Sequence, residues 1–111
     1  MENFEERWIQ VEFMLRERFG KVPDMQAILY LIGINELGGV PETKNFTKEQ
    51  KQDLMHIAVC SLLSRKGYYE FIARDDDGWP HYDQLKPVDE DNLFTQERML
   101  KECVIEYFEE E

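Results

Sequence analysis

Between Asp24 and Leu37 the chain reads Asp-Met-Gln-Ala-Ile-Leu-Tyr-Leu-Ile-Gly-Ile-Asn-Glu-Leu, and this stretch restricts the available folds more than any other. At 100° per residue, Met25, Ile28, Leu29 and Ile32 fall on one side of a helix, and Ala27, Tyr30, Leu31, Ile34 and Leu37 on the other. A helix that is apolar nearly all round is a core helix or a membrane span. The run is well short of the roughly 18–20 apolar residues that a span needs. It therefore predicts a central, buried helix with partners on both sides. Burying its large apolar side chains at roughly 1.5–3 kcal/mol each would be a main source of stability, before conformational entropy is subtracted. Gly33 in its middle costs about 1 kcal/mol against alanine. Close approach by a neighbouring backbone is one explanation, and a merely tolerated glycine is the other.

The rest of the sequence supplies elements to cover that helix. Residues 2–19 form a helix on the stripe Phe4, Trp8, Val11, Leu15 and Phe19, stopped by Gly20. Ile9 and Phe13 lie on nearly the opposite side, so either the hairpin or a second copy of the chain must cover them. Pro23 suits the first turn of the central helix, which ends at Gly38-Gly39. After a loop over 40–46, Thr47 and Gln50 make a capping box, and a third helix runs to about Arg65 on Leu54, Ala58 and Leu62. Aromatic and β-favouring residues then flank Asp75-Asp76-Asp77-Gly78, a strong turn sequence, and predict a β-hairpin at 68–85. A last helix covers roughly 92–109 with Leu93, Leu100, Cys103, Val104 and Tyr107 on one face. Thr95 is a rival start, with Phe94 and Met99 as a hydrophobic staple. Glu109, Glu110 and Glu111 oppose the helix dipole and predict a frayed last turn. The expected fold is mainly α (α+β): about four helices around the central hydrophobic helix 24–37, with one β-hairpin, in a single globular domain over 1–111.

Charge narrows the partners. The net charge is −11. Residues 1–67 hold 9 basic and 10 acidic side chains, whereas 68–111 hold 4 basic and 14 acidic. Nucleic-acid binding rests on neutralising phosphates with Lys and Arg, so this balance argues against it, and equally against an anionic membrane surface. Steering in the C-terminal part would favour a cationic partner, although an acidic surface also simply keeps a small protein soluble. Met-Glu-Asn-Phe-Glu-Glu-Arg-Trp lacks the basic and apolar pattern of a signal peptide, and the two cysteines lack a disulfide-rich spacing. The expected setting is cytoplasmic.

The run Ile57-Ala58-Val59-Cys60, continued by Gly67-Tyr68-Tyr69-Glu70-Phe71 and Asp77-Gly78-Trp79-Pro80-His81, resembles a family of small, uncharacterised bacterial cytoplasmic proteins. The resemblance covers roughly 55–82. It implies a bacterial cytoplasmic origin and attaches no activity, cofactor or partner.

Three constellations suggest chemistry. His56, Cys60, His81 and Cys103 would make a Cys₂His₂ set for zinc, but their spacings match no zinc motif, and core cysteines with a boundary histidine account for them better. Asp75 and Asp77 align with positions three and five of an EF-hand, yet Ala73 and Gln84 occupy the first and last positions, where carboxylates are required. Glu36, Asp53, His56 and His81 are acid–base candidates, with His56 oriented by Asp53 one turn earlier, but no nucleophile motif or phosphate loop accompanies them. No cofactor is implied. Tyr68, Tyr69, Phe71, Trp79 and Tyr82 either fasten the hairpin to the helices or form a recognition surface. The expectation is a non-catalytic interaction or assembly module whose partner is another protein, a second copy included, meeting it at Ile9, Phe13, Tyr69, Trp79, His81 and Tyr82. The alternative is a small enzyme or metal-binding protein using His56 and His81.

Overall fold

The computed structural model describes residues 3–38, 45–88 and 93–110. Its elements are α1 (Phe4–Phe19), α2 (Met25–Leu37), α3 (Lys48–Ser64), β1 (Tyr69–Arg74), β2 (Pro80–Gln84) and α4 (Leu93–Glu109). This is the mainly α, α+β fold expected from the sequence. Much of the 40–46 loop, the acidic residues 89–91, the Phe94–Met99 staple and Glu111 lie outside the described residues. The chain divides into two compact units, Met1–Asp24 with Asp89–Glu111, and Met25–Val88.

In the first unit α1 packs with α4. Asn3 caps α1 by accepting the Glu6 N–H at 2.9 Å, and Gly20, at φ 82°, closes it with its N–H on the Arg16 carbonyl. Val11 and Leu15 of the predicted stripe are buried, while Phe19 at its end is half exposed. On α4, Cys103, Val104 and Tyr107 are buried as their shared face requires. Ile105, about 100° round from Val104, is also fully buried, so α4 is covered over more than the predicted stripe. The cations of α4 lie over aromatic rings of α1: Arg98 stands 4.3 Å from the Phe4 centroid and Lys101 5.2 Å from that of Trp8. α4 is helical as far as Glu109. There Arg7 donates from Nε at 3.1 Å and from Nη2 at 2.6 Å, supplying the countercharge that the dipole argument lacked.

In the second unit α3 contacts α2 and both strands. The Thr47–Gln50 capping box forms, with the Gln50 N–H on Thr47 Oγ1 at 3.1 Å and the Thr47 N–H on Gln50 Oε1 at 2.9 Å. α2 buries Ile28, Leu29, Ile32 and Gly33, and its other side is half buried. The Gly33 alternative resolves as close approach: a Cβ there would overlap the Leu54 carbonyl oxygen and come within 2.7 Å of its carbon. β1 and β2 pair antiparallel, with Tyr69 opposite Gln84, Glu70 opposite Asp83 and Phe71 opposite Tyr82. One extra residue, Ile72, then shifts the register so that Ala73 meets His81 and Arg74 meets Pro80. The hairpin rests on α3. In the first unit, Ile9 and Phe13 are exposed.

The Gly33 contact yields a stability prediction. Gly33→Ala is expected to lower the unfolding free energy by about 1–3 kcal/mol, because overpacking outweighs the gain in helix propensity. Urea denaturation checks this, and an unchanged midpoint would mean that α2 and α3 can separate freely at this point.

Candidate functional site

A polar cluster in the second unit lies one turn beyond Gly33. Glu36 Oε1 accepts a hydrogen bond from Ser61 Oγ at 2.5 Å, linking α2 to α3. Arg74 of β1 donates from Nη2 to the Glu36 carbonyl at 2.7 Å and from Nη1 to the Gly78 carbonyl at 2.8 Å. Burial pushes the Tyr82 phenol up in pKa, and its hydrogen bond with Ser61 opposes that rise. The cluster thus joins two helices and the hairpin through groups that satisfy one another. Among the described residues, no buried side-chain nitrogen or oxygen lacks a partner. Ser61 is only 8% exposed, and its hydroxyl is engaged with Glu36. The geometry is that of a structural tie.

His56 and Cys60 sit one turn apart on α3, with His56 Nε2 3.5 Å from Cys60 Sγ. His56 therefore meets the residue one turn later, not Asp53 one turn earlier. A nucleophilic cysteine needs its thiol pKa lowered. Burial does the opposite here and raises Cys60 to about 11. His81 is elsewhere in its interactions: its Nε2 lies 2.9 Å from Asp75 Oδ2, within the hairpin. Cys103 is buried in α4, in the other compact unit. Among the described residues, no group of three or more His, Cys, Asp and Glu side chains could hold a metal ion.

The acidic hairpin tip is organised around Asp75. Its Oδ1 accepts the Asp77 N–H at 3.0 Å and the Trp79 N–H at 2.9 Å, its carbonyl accepts the Gly78 N–H at 2.9 Å, and Gly78 adopts φ 87°. Both carboxylate oxygens of Asp75 are thus engaged in the turn and with His81.

The other interaction candidates divide by exposure. Tyr69, Trp79 and Tyr82 are half buried. Trp79 meets Phe46 edge-on at 6.2 Å, and Tyr82 meets Phe71 edge-on at 5.7 Å. His81 is exposed, as are Ile9 at 60% and Phe13 at 61%. Phe71, one of the five hairpin aromatics, is exposed, and sequence reasoning did not single out two further exposed apolar residues of the hairpin region, Ile72 and Leu85. Ile72 owes its place to the register shift, which strand alternation could not reveal. Ser61 was also missed. The available signal was a hydroxyl inside the apolar run Ile57-Ala58-Val59-Cys60-Ser61-Leu62-Leu63, which demands a buried partner.

Compared with known proteins, the chain matches no family model, no curated protein and no solved structure. Among the described residues, no helix is long and apolar enough to cross a membrane. Two grooves along the first unit hold about 210 Å³ and about 120 Å³, lined by Arg7, Met14 and Phe108 in one and by Phe4, Glu97 and Arg98 in the other. Both are smaller than the roughly 300 Å³ at which ligand pockets usually begin.

Two measurements test these assignments. Raising a thiol pKa from 9.0 to about 11 cuts its thiolate fraction roughly 100-fold near neutral pH, so native Cys60 is expected to alkylate at least that much more slowly than a free thiol. Peptide mapping after timed iodoacetamide treatment reads this out, and rapid labelling would restore Cys60 as a nucleophile. For Asp75, the His81 hydrogen bond, followed by the Trp79 N–H, holds the carboxyl below its ordinary 3.8. Because the folded value is depressed, the stabilisation is present above the unfolded pKa and is lost as pH falls through the folded one. Carboxyl NMR titration should find a low Asp75 value that moves up in His81→Ala.

Proposed function

We propose that the chain is a non-catalytic protein-interaction or assembly module. The observation that carries this reading is the exposure of large apolar side chains on ordered elements, Ile9 and Phe13 on α1 and Phe71, Ile72 and Leu85 at the hairpin. Exposed apolar residues grouped on a regular scaffold are the usual mark of a binding surface. The rival catalytic or metal-binding reading draws on His56 and His81, and these histidines engage different partners, Cys60 and Asp75.

The charges at the hairpin support a partner of opposite charge. Glu70 stands directly opposite Asp83 across the strands, and both are exposed. Like charges in that position destabilise a sheet. Asp75, Asp76 and Asp77 add to the negative potential at the tip. A protein presenting an apolar patch rimmed by Lys or Arg would cover Ile72 and Leu85 and relieve the Glu70–Asp83 repulsion together. Two free, buried thiols suit a reducing compartment, and we place the module in the cytoplasm of a bacterial cell, as its resemblance over 55–82 implies.

Photo-crosslinking groups placed at Ile72 and Leu85, with Lys51, an exposed residue of α3, as control, test this in the native cell. The expected result is one shared adduct from both hairpin positions and none from Lys51. Its yield in lysate should fall at high salt and on Asp83→Lys. Absence of an adduct from either hairpin position would overturn the hairpin as the binding surface.

A further inference from the structure

We propose that α1 pairs with α1 of a second copy, antiparallel about a two-fold axis, through the stripe Glu6-Ile9-Phe13-Arg16. The proposal names a partner for the interaction-module reading and rests on that reading. α1 turns Val11 and Leu15 inward, and on its outer side Ile9 and Phe13 are 60% and 61% exposed. They lie one helical turn apart, with Glu6 three residues before and Arg16 three residues after, both exposed. Spacings of three, four and three are those of a seam between two helices. The apolar pair forms its centre and the charges form its ends.

Charge selects the orientation. An axis at the level of Val11 sets Ile9 beside Phe13 of the second copy and Glu6 beside its Arg16, each pairing occurring twice. A parallel arrangement would set Glu6 against Glu6 and Arg16 against Arg16. The antiparallel seam is therefore complementary where the parallel one is repulsive. On its flanks Gln10 and Glu12 each approach their own copies, and the Glu12 pair opposes association. The apolar centre is also small beside the roughly 1,200 Å² that a stable interface buries. Together these features give a weak dimer, with a dissociation constant on the order of 100 µM.

Sedimentation equilibrium of the full chain, from about 10 µM to about 1 mM, tests the proposal. The chain is expected to show reversible monomer–dimer behaviour. Phe13→Glu should weaken it at least tenfold, and Glu6→Arg or Arg16→Glu should each weaken it several-fold. The double variant Glu6→Arg/Arg16→Glu restores opposite charges in the antiparallel seam alone, so its dimer should return to within about twofold of the original. All four positions are described as exposed, and circular dichroism verifies that each variant remains helical. A dimer lost in Phe13→Glu but not restored by the double exchange would overturn the antiparallel register. A dimer indifferent to Phe13→Glu, or a monomer throughout, would overturn pairing through α1. The hairpin crosslinks then decide the interaction-module reading separately.

Discussion

The larger unit depends on the passage of the α2 backbone against the Leu54 carbonyl at Gly33. A side chain at that position would hold the helices apart, and the rest of the unit would lose its registration. With the helices this close, Glu36, one turn on, reaches Ser61. The Glu36 carbonyl, near the end of α2 and lacking a full set of helical partners, receives Arg74. Arg74 in turn holds the Gly78 carbonyl at the hairpin tip. A steric permission in the middle of one helix is thereby converted into the placement of a hairpin. Its polar terms are individually modest, because each replaces a bond to water, but a severed tie would leave the buried Ser61 hydroxyl without its partner.

The smaller unit solves a different problem with the few cations of an acidic chain. Arg7 is held by Glu109, and Arg98 and Lys101 cover Phe4 and Trp8 with their charged ends. Long basic side chains combine apolar stems with a charged head, so they can shield aromatic rings and oppose carboxylates at once. Using cations in this way leaves α1 with an outer side whose character is set by Ile9 and Phe13 and by the alternation of Glu6 and Arg16. Each half of the chain thus reserves one ordered, partly apolar surface while spending its polar interactions on internal ties.

Much of the fold was legible because its signals were local. Pattern and punctuation located every described helix: the 24–37 run, the Thr47–Gln50 box and the glycine stops each act within a few residues. The acidic turn likewise located the hairpin. What escaped was set by contacts distant in sequence. Periodicity assigned α4 a single stripe, yet Ile105 is buried as well, since coverage depends on the surroundings of the helix and not only on its own pattern. The fate of Glu109 depended on Arg7, at the other end of the chain. For the site, the sequence identified His56, Cys60 and His81 as chemically capable residues but could not assign their neighbours. Those neighbours are decisive: burial disarms the thiol, and Asp75 occupies His81. The five hairpin aromatics divided between packing and exposure in a way that alternation left open, because an inserted residue changed the alternation itself.

That inserted residue, Ile72, has a consequence for how the hairpin can be used. A two-stranded sheet has two outer edges, and an uninterrupted edge invites any extended chain to add itself as a further strand. An extra residue in β1 bends the strand, sharpens its twist and breaks the regular spacing of its outward amides and carbonyls. The edge therefore makes a poor template for continued pairing, and runaway assembly into stacked sheets is discouraged. The same irregularity brings an isoleucine into solvent. In the proposed module, recognition at the hairpin would rest less on backbone hydrogen bonding, which accepts almost any sequence, than on side-chain fit, which discriminates.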